Sequence, residues 1–158
     1  MKVFLSLALA LWVGGLAFFM LVVAPVSFRT LGKEEAGRIL GFLFPVLDRW
    51  GLACGAAACM ALYGVFLRRH FEPRSLLLEV PVAMMFLLTL HVAVILHPQI
   101  RDIRDRVARP EYEGTARQGR LQFVFRNLHR RSVQIHMGIL ALGLFSVGVF
   151  PYSLCSWH

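Results

Sequence analysis

Four long apolar stretches alternate along the chain with shorter polar or arginine-rich segments. The apolar stretches cover residues 3–26, 50–67, 76–96 and 132–151. A helix needs about 20 mostly apolar residues to cross the hydrocarbon core of a bilayer, and each stretch meets or approaches that length. The pattern therefore predicts an all-α, polytopic membrane protein. Its single integral membrane domain, residues 1–158, is expected to be a four-transmembrane-helix bundle.

Two polar segments next to the predicted spans carry apolar residues at helical spacing. Segment 33–47 has Ala36, Leu40, Leu43 and Leu47 at intervals of three or four, which predicts an interfacial helix before the second span. Segment 100–107 repeats the pattern after the third span. We expect it to form a cytoplasmic helical arm between spans three and four.

The composition and the positions of the charges support a membrane location. Hydrophobic residues make up 58% of the 158 residues, above the roughly 45–50% of soluble domains. The net charge is +8, and thirteen of the seventeen Lys and Arg residues fall in segments 27–49 and 97–131. By the positive-inside rule these two loops are cytoplasmic and both termini are periplasmic, in a multi-pass protein of the cell inner membrane.

The same distribution of charge indicates the partners. Basic residues at a membrane boundary attract anionic lipid headgroups, so we expect contact with the cytoplasmic headgroups and no binding of nucleic acid.

The apolar character of the first span continues to Val26, which favours a membrane span over a cleaved signal peptide. A homo-oligomer or a membrane-protein partner is left open.

Small residues in the second span predict close helix packing. Gly51, Gly55 and Cys59 recur every four residues, and glycine at this spacing lets helix backbones approach closely. We expect these contacts to lie within the chain. Cys54 and Cys59 are interpreted as packing residues, since the three cysteines form neither a C-x-x-C pair nor an even set.

Two histidines lie inside predicted spans, where an ionisable group needs a partner. His91 is six residues from His97 at the cytoplasmic end of span three, and His136 is four residues past Ser132 in span four. Both are expected at a similar shallow depth. One interpretation makes them ligands of b-type haem or copper. The others are interhelical hydrogen bonding and the handling of protons or ions.

Other polar residues are predicted to form a layer at the cytoplasmic boundary. Its members are His97, His129, Arg130, Arg131, Asp48 and Arg49. Glu79, near the other end of span three, is a candidate for the outer end of an ion path or for a carboxylate paired with a loop arginine.

The chain has no Ser-His-Asp order, phosphate-binding loop or dinucleotide-binding glycine run. A non-enzymatic role in transport, assembly or envelope maintenance is therefore expected, with a haem or copper redox protein as the alternative.

Several short motifs resemble those of a known family. They are VVAPVSF at 22–28, EAGR at 35–38 leading to Phe44-Pro45, LHPQIR at 96–101 and FRNLHRRS at 125–132. In these the chain resembles the bacterial membrane family of unknown function related to transmembrane protein 205. The resemblance implies a four-helix membrane fold and no established reaction. That family commonly has asparagine near position 136, so a site built on His136 would be particular to this protein.

Overall fold

The computed structural model describes residues 2–66, 76–107 and 116–155. All of these lie in helices or in the single bend at Leu31, between α2 and α3. The helices are α1 (Lys2–Phe18), α2 (Ala24–Thr30), α3 (Gly32–Phe66), α4 (Leu76–His91), α5 (His97–Val107) and α6 (Ala116–Cys155). Two π-helical turns, Phe19–Val23 and Val92–Leu96, join α1 to α2 and α4 to α5.

Among the described residues, four continuous helical stretches are long and apolar enough to cross a membrane. They are Val3–Thr30, Glu35–Gly64, Leu76–Val107 and Arg117–Pro151. The shortest has 28 residues, or roughly 42 Å at 1.5 Å per residue. Each stretch is therefore longer than the ~30 Å hydrocarbon core. The prediction of an all-helical chain with four candidate spans is confirmed.

The four long helices pack around one core. Helix α1 packs on α3 and α6, and α4 packs on the same two helices. Helices α3 and α6 therefore face each other along one diagonal of the bundle. The core consists mainly of aliphatic residues and one indole, among them Leu9, Trp12, Val13, Met85 and Ile139. A smaller apolar cluster of Phe19, Leu40 and Phe44 lies nearer the turn between α2 and α3.

Each π turn ends two residues before a proline, Pro25 in one case and Pro98 in the other. Proline has no N–H to donate, and its ring crowds the carbonyl four residues earlier. In the wider turns, Ala24 and His97 donate to the carbonyls of Phe19 and Val92, five residues back. The wider turn thus lets the helix continue through the proline. Past Pro25, α2 continues to Thr30.

The predicted interfacial helix and helical arm are continuous with the spans. Residues 33–47 belong to α3, which runs unbroken from Gly32 through Pro45 into the second span. The turn before it is made at Gly32, whose φ of 73° favours glycine. Residues 100–107 belong to α5, and the guanidinium of Arg104 lies 5.6 Å from the centre of the Phe42 ring on α3. Tertiary contact therefore joins both segments to the bundle.

The glycine stripe of α3 packs against α1 and α4, as the sequence predicted. A Cβ on Gly51 would lie 2.9 Å from Nε1 of Trp12, and one on Gly55 would lie 2.8 Å from the same indole and 2.7 Å from Phe86. Neither position has room for a side chain. The stripe thus contacts residues of its own chain, with the Trp12 indole lying directly on it.

Candidate functional site: a buried carboxylate between two histidines

Asp48 is the most buried carboxylate among the described residues, with 2% of its surface exposed. It lies on the inner face of α3, one turn after Phe44 and one turn before Gly51, and all three are buried. A carboxylate removed from water is costly unless hydrogen bonds or positive charges stabilise it. Its neighbours are two histidines from two other helices.

His136 of α6 binds Asp48 through one ring nitrogen and its own helix through the other. Nε2 lies 2.9 Å from Oδ1 of Asp48, and Nδ1 lies 2.8 Å from the carbonyl oxygen of Ser132. The side chain is 2% exposed. Because a carbonyl oxygen can only accept, Nδ1 carries a hydrogen. The ring orientation is thus fixed from both sides.

His97 of α5 contacts the second oxygen of the same carboxylate. Its Nδ1 lies 2.7 Å from Oδ2 of Asp48, and the residue is 6% exposed. The separation is that of an ion pair, but the ring is not aligned for a linear N–H···O bond. Within the described part of the chain, these two atoms therefore lack a well-directed hydrogen bond. The rings of His97 and His136 stack with centres 6.2 Å apart.

These contacts limit where the protons can be. One proton lies between Nε2 of His136 and Oδ1, on nitrogen in a charged pair or on oxygen in a neutral pair. When Asp48 is ionised and one imidazole is protonated, the three side chains are neutral overall. Protonation of the second imidazole gives a charge of +1 and places a cation at each carboxylate oxygen. The cluster can therefore bind one further proton with both contacts retained.

A small cavity lies beside this cluster, toward the middle of the bundle. Its volume is about 10 Å³, and its wall includes Asp48, His136, Trp12 and Thr89. That volume is close to the minimum that holds one water molecule. The Thr89 hydroxyl donates to the carbonyl oxygen of Met85. Among the residues of the cavity wall, Asp48 and His136 are the ionisable ones.

The structure brings His136 together with Asp48 and His97 and leaves His91 outside the cluster. The role of His91 and His136 as haem or copper ligands stays a prediction. The His91 side chain is exposed, and both ring nitrogens of His136 are already engaged. The π turn Val92–Leu96 separates His91 from His97, and the two side chains leave the helix in different directions, since His91 is exposed and His97 is buried. The prediction used depth along the helix and ignored direction around it. In this conformation His136 has no free nitrogen for haem iron or copper.

The predicted boundary layer separates into buried and exposed members. Asp48 and His97 are in the buried cluster, whereas Arg49, Arg130, Arg131 and His129 are exposed. Neighbouring residues such as Asp48 and Arg49 differ because they are about 100° apart on the helix. The position of each residue around the helix axis is the signal that separates the two groups. On α3 the buried residues form one stripe, which includes Leu40, Phe44, Asp48, Gly51 and Gly55.

Glu79 lies in the first turn of α4 and is partly buried. The arginines considered as its partners, Arg68, Arg69 and Arg74, lie outside the described residues. Over residues 2–66, 76–107 and 116–155, no group of three or more His, Cys, Asp and Glu side chains is arranged to hold a metal ion.

Together these features define a class: an all-helical chain with four helices able to span a membrane and a buried Asp-His cluster between them. Comparison with known families identifies the chain further. Residues 7–109 match a domain of unknown function, DUF4149, and the chain belongs to that family. Comparisons with curated proteins and with solved structures gave no match. The resemblance to the relatives of transmembrane protein 205 stays a prediction.

Proposed function

We propose that the protein is a non-enzymatic transport protein of the cell inner membrane, and that Asp48, His97 and His136 form its proton-binding site. The observation that carries the proposal is a carboxylate with 2% exposure contacted on each oxygen by an imidazole from a different helix. Ionisable groups inside a membrane bundle often mark proton or ion paths. A cluster that gains a proton while keeping its contacts suits that role.

The arrangement also couples proton binding to helix position. Asp48 belongs to α3, His97 to α5 and His136 to α6, so the three side chains join helices that meet at one end of the bundle. Adding or removing a proton changes the attraction between these helices by the energy of an ion pair. A transport cycle needs such a link between the occupancy of a site and the packing of helices.

The distribution of arginine supports an orientation for the site. By the positive-inside rule, segments 27–49 and 97–131 face the cytoplasm, and both termini face the periplasm. The cluster then lies in the cytoplasmic half of the membrane. The exposed Arg49, Arg130 and Arg131 would bind anionic headgroups on that side.

The test is proton flux in proteoliposomes that contain a trapped pH-sensitive dye, measured after a pH gradient is imposed. We expect Asp48→Asn to lower the flux at least tenfold, because an uncharged amide cannot pair with the protonated imidazoles of His97 and His136. Asp102→Asn is the matched control, since that exposed carboxylate pairs with Arg106 on the surface of α5 at 2.9 Å. Flux is normalised to folded protein. Equal flux from Asp48→Asn and wild type would reduce the cluster to a structural contact between helices and overturn the proposal.

A further inference from the structure

The Phe44 ring lies in contact distance of three histidines. The centres of the rings are 5.3 Å apart for His136, 6.2 Å for His97 and 6.3 Å for His129. Its fourth aromatic neighbour is Phe19, at 4.9 Å. Phe44 is 7% exposed, so the structure holds a phenyl ring in the middle of a group of imidazoles.

Of these three histidines, His129 alone is exposed. It lies on α6, seven residues before His136, and therefore on nearly the same face about 10 Å away along the axis. Its ring is stacked on Phe125 with centres 6.2 Å apart and planes within 7°. The stacking holds the imidazole beside Phe44 while leaving it accessible from outside the bundle.

Phe44 therefore contacts both the exposed and the buried imidazoles. Its ring centre lies 6.3 Å from that of His129 and 5.3 Å from that of His136, and these two residues are about 10 Å apart along the axis of α6. The phenyl ring thus packs against an imidazole on either side of the boundary between exposed and buried residues. A phenyl ring has no hydrogen-bonding group and cannot pass a proton. The small cavity beside the cluster is lined by His136 and Asp48, and Phe44 does not belong to its wall.

We propose that Phe44 is a hydrophobic gate between His129, the outer proton acceptor, and the buried cluster of Asp48, His97 and His136. Displacement of the ring opens a path for water between the two. The meaning of the gate for transport rests on the proposed function. The physical barrier formed by Phe44 does not depend on the proposed function, and it can be measured without a flux assay.

The experiment measures the accessibility of each histidine in the detergent-solubilised full chain. Diethyl pyrocarbonate modifies neutral imidazoles, and mass spectrometry of peptides gives a rate for each position. In the wild type we expect His129 to react rapidly, with His97 and His136 protected. Both buried histidines are followed because the one paired as a cation reacts slowly whatever its access.

Phe44→Ala is expected to raise the rate at His97, His136 or both at least tenfold. Phe123→Ala removes an exposed phenyl ring from α6 and serves as the matched control, with no change at either position. Cys54 is buried in the core, so its continued protection from a maleimide shows that the bundle remains folded. If Phe44→Ala exposes Cys54, the smaller change Phe44→Leu decides the question, with an expected increase of about threefold.

Two results would overturn the gate. One is a wild-type His97 or His136 that reacts as fast as His129. The other is unchanged protection of both in the folded Phe44 variants. If the Phe44 variants open the cluster but Asp48→Asn leaves proton flux unchanged, the barrier stands and the transport function fails.

Discussion

The contact between Asp48 and His136 makes a sharp prediction about stability. Both side chains are 2% exposed, and their atoms are 2.9 Å apart. Removing one member of a buried ion pair leaves the other charge without compensation, at a cost of about 3–5 kcal/mol. Asp48 keeps its contact with His97 at 2.7 Å, so we expect His136→Leu to cost about 3 kcal/mol, at the lower end of that range.

A double-mutant cycle separates this interaction from other effects of each substitution. The variants are His136→Leu, Asp48→Leu and the double variant, and the coupling energy is the deviation from additivity. Close charge pairs give couplings of about 1.5–7 kcal/mol. Interhelical hydrogen bonds in a membrane protein average about 0.6 kcal/mol. The measured coupling therefore distinguishes a charged pair from a neutral one, and we expect it to exceed about 2 kcal/mol.

The assay is reversible unfolding in mixed micelles, followed by tryptophan fluorescence. Trp12 and Trp50 both line the cavity beside the cluster and report directly on its packing. Asp102→Leu combined with His136→Leu is the control cycle and should be additive. A coupling between Asp48 and His136 no larger than this control would refute the conclusion that the two side chains interact in the folded protein.

Two further predictions concern packing and orientation. Gly55→Ala places a methyl group 2.7 Å from Phe86 and should lower the free energy of unfolding by about 1–3 kcal/mol in the same assay. A methyl group at Gly14 meets nothing within 4 Å, so Gly14→Ala should leave the free energy of unfolding unchanged or raise it. Equal effects of the two would show that the α3 stripe is not closely packed. Reporter fusions at Tyr112 should read cytoplasmic and those after His158 periplasmic, and the opposite pattern would contradict the orientation inferred from the arginines.

Much of the local structure could be read from the sequence. Apolar length predicted the four candidate spans, and the spacing of Gly51 and Gly55 predicted the close approach that Trp12 occupies. The prolines at 25 and 98 each follow a π turn, Phe19–Val23 in one case and Val92–Leu96 in the other. The sequence pattern did not predict these turns, through which the helix continues past each proline. Segments 33–47 and 100–107 are likewise continuous with the spans.

The candidate site required more than local pattern. His136 was singled out because an imidazole inside an apolar span needs a partner, and that argument holds. The structure gives His136 other neighbours than His91, because equal depth does not ensure that two side chains point at each other. The position of each residue around its helix axis indicates which side chains are buried. Asp48 shares a stripe with Leu40 and Phe44, whereas His91 lies two positions past the buried Thr89 and therefore on another face of α4.

By itself, the sequence determined that this chain folds as apolar helices, because 20-residue apolar segments satisfy their backbone in a bilayer only as helices. It also determined which few ionisable residues needed partners. The tertiary structure alone decided which partners they have. Asp48, His97 and His136 are up to 88 positions apart, and their meeting depends on how three helices are rotated about their axes. Those rotations are set by the packing of the whole bundle, which no single segment encodes.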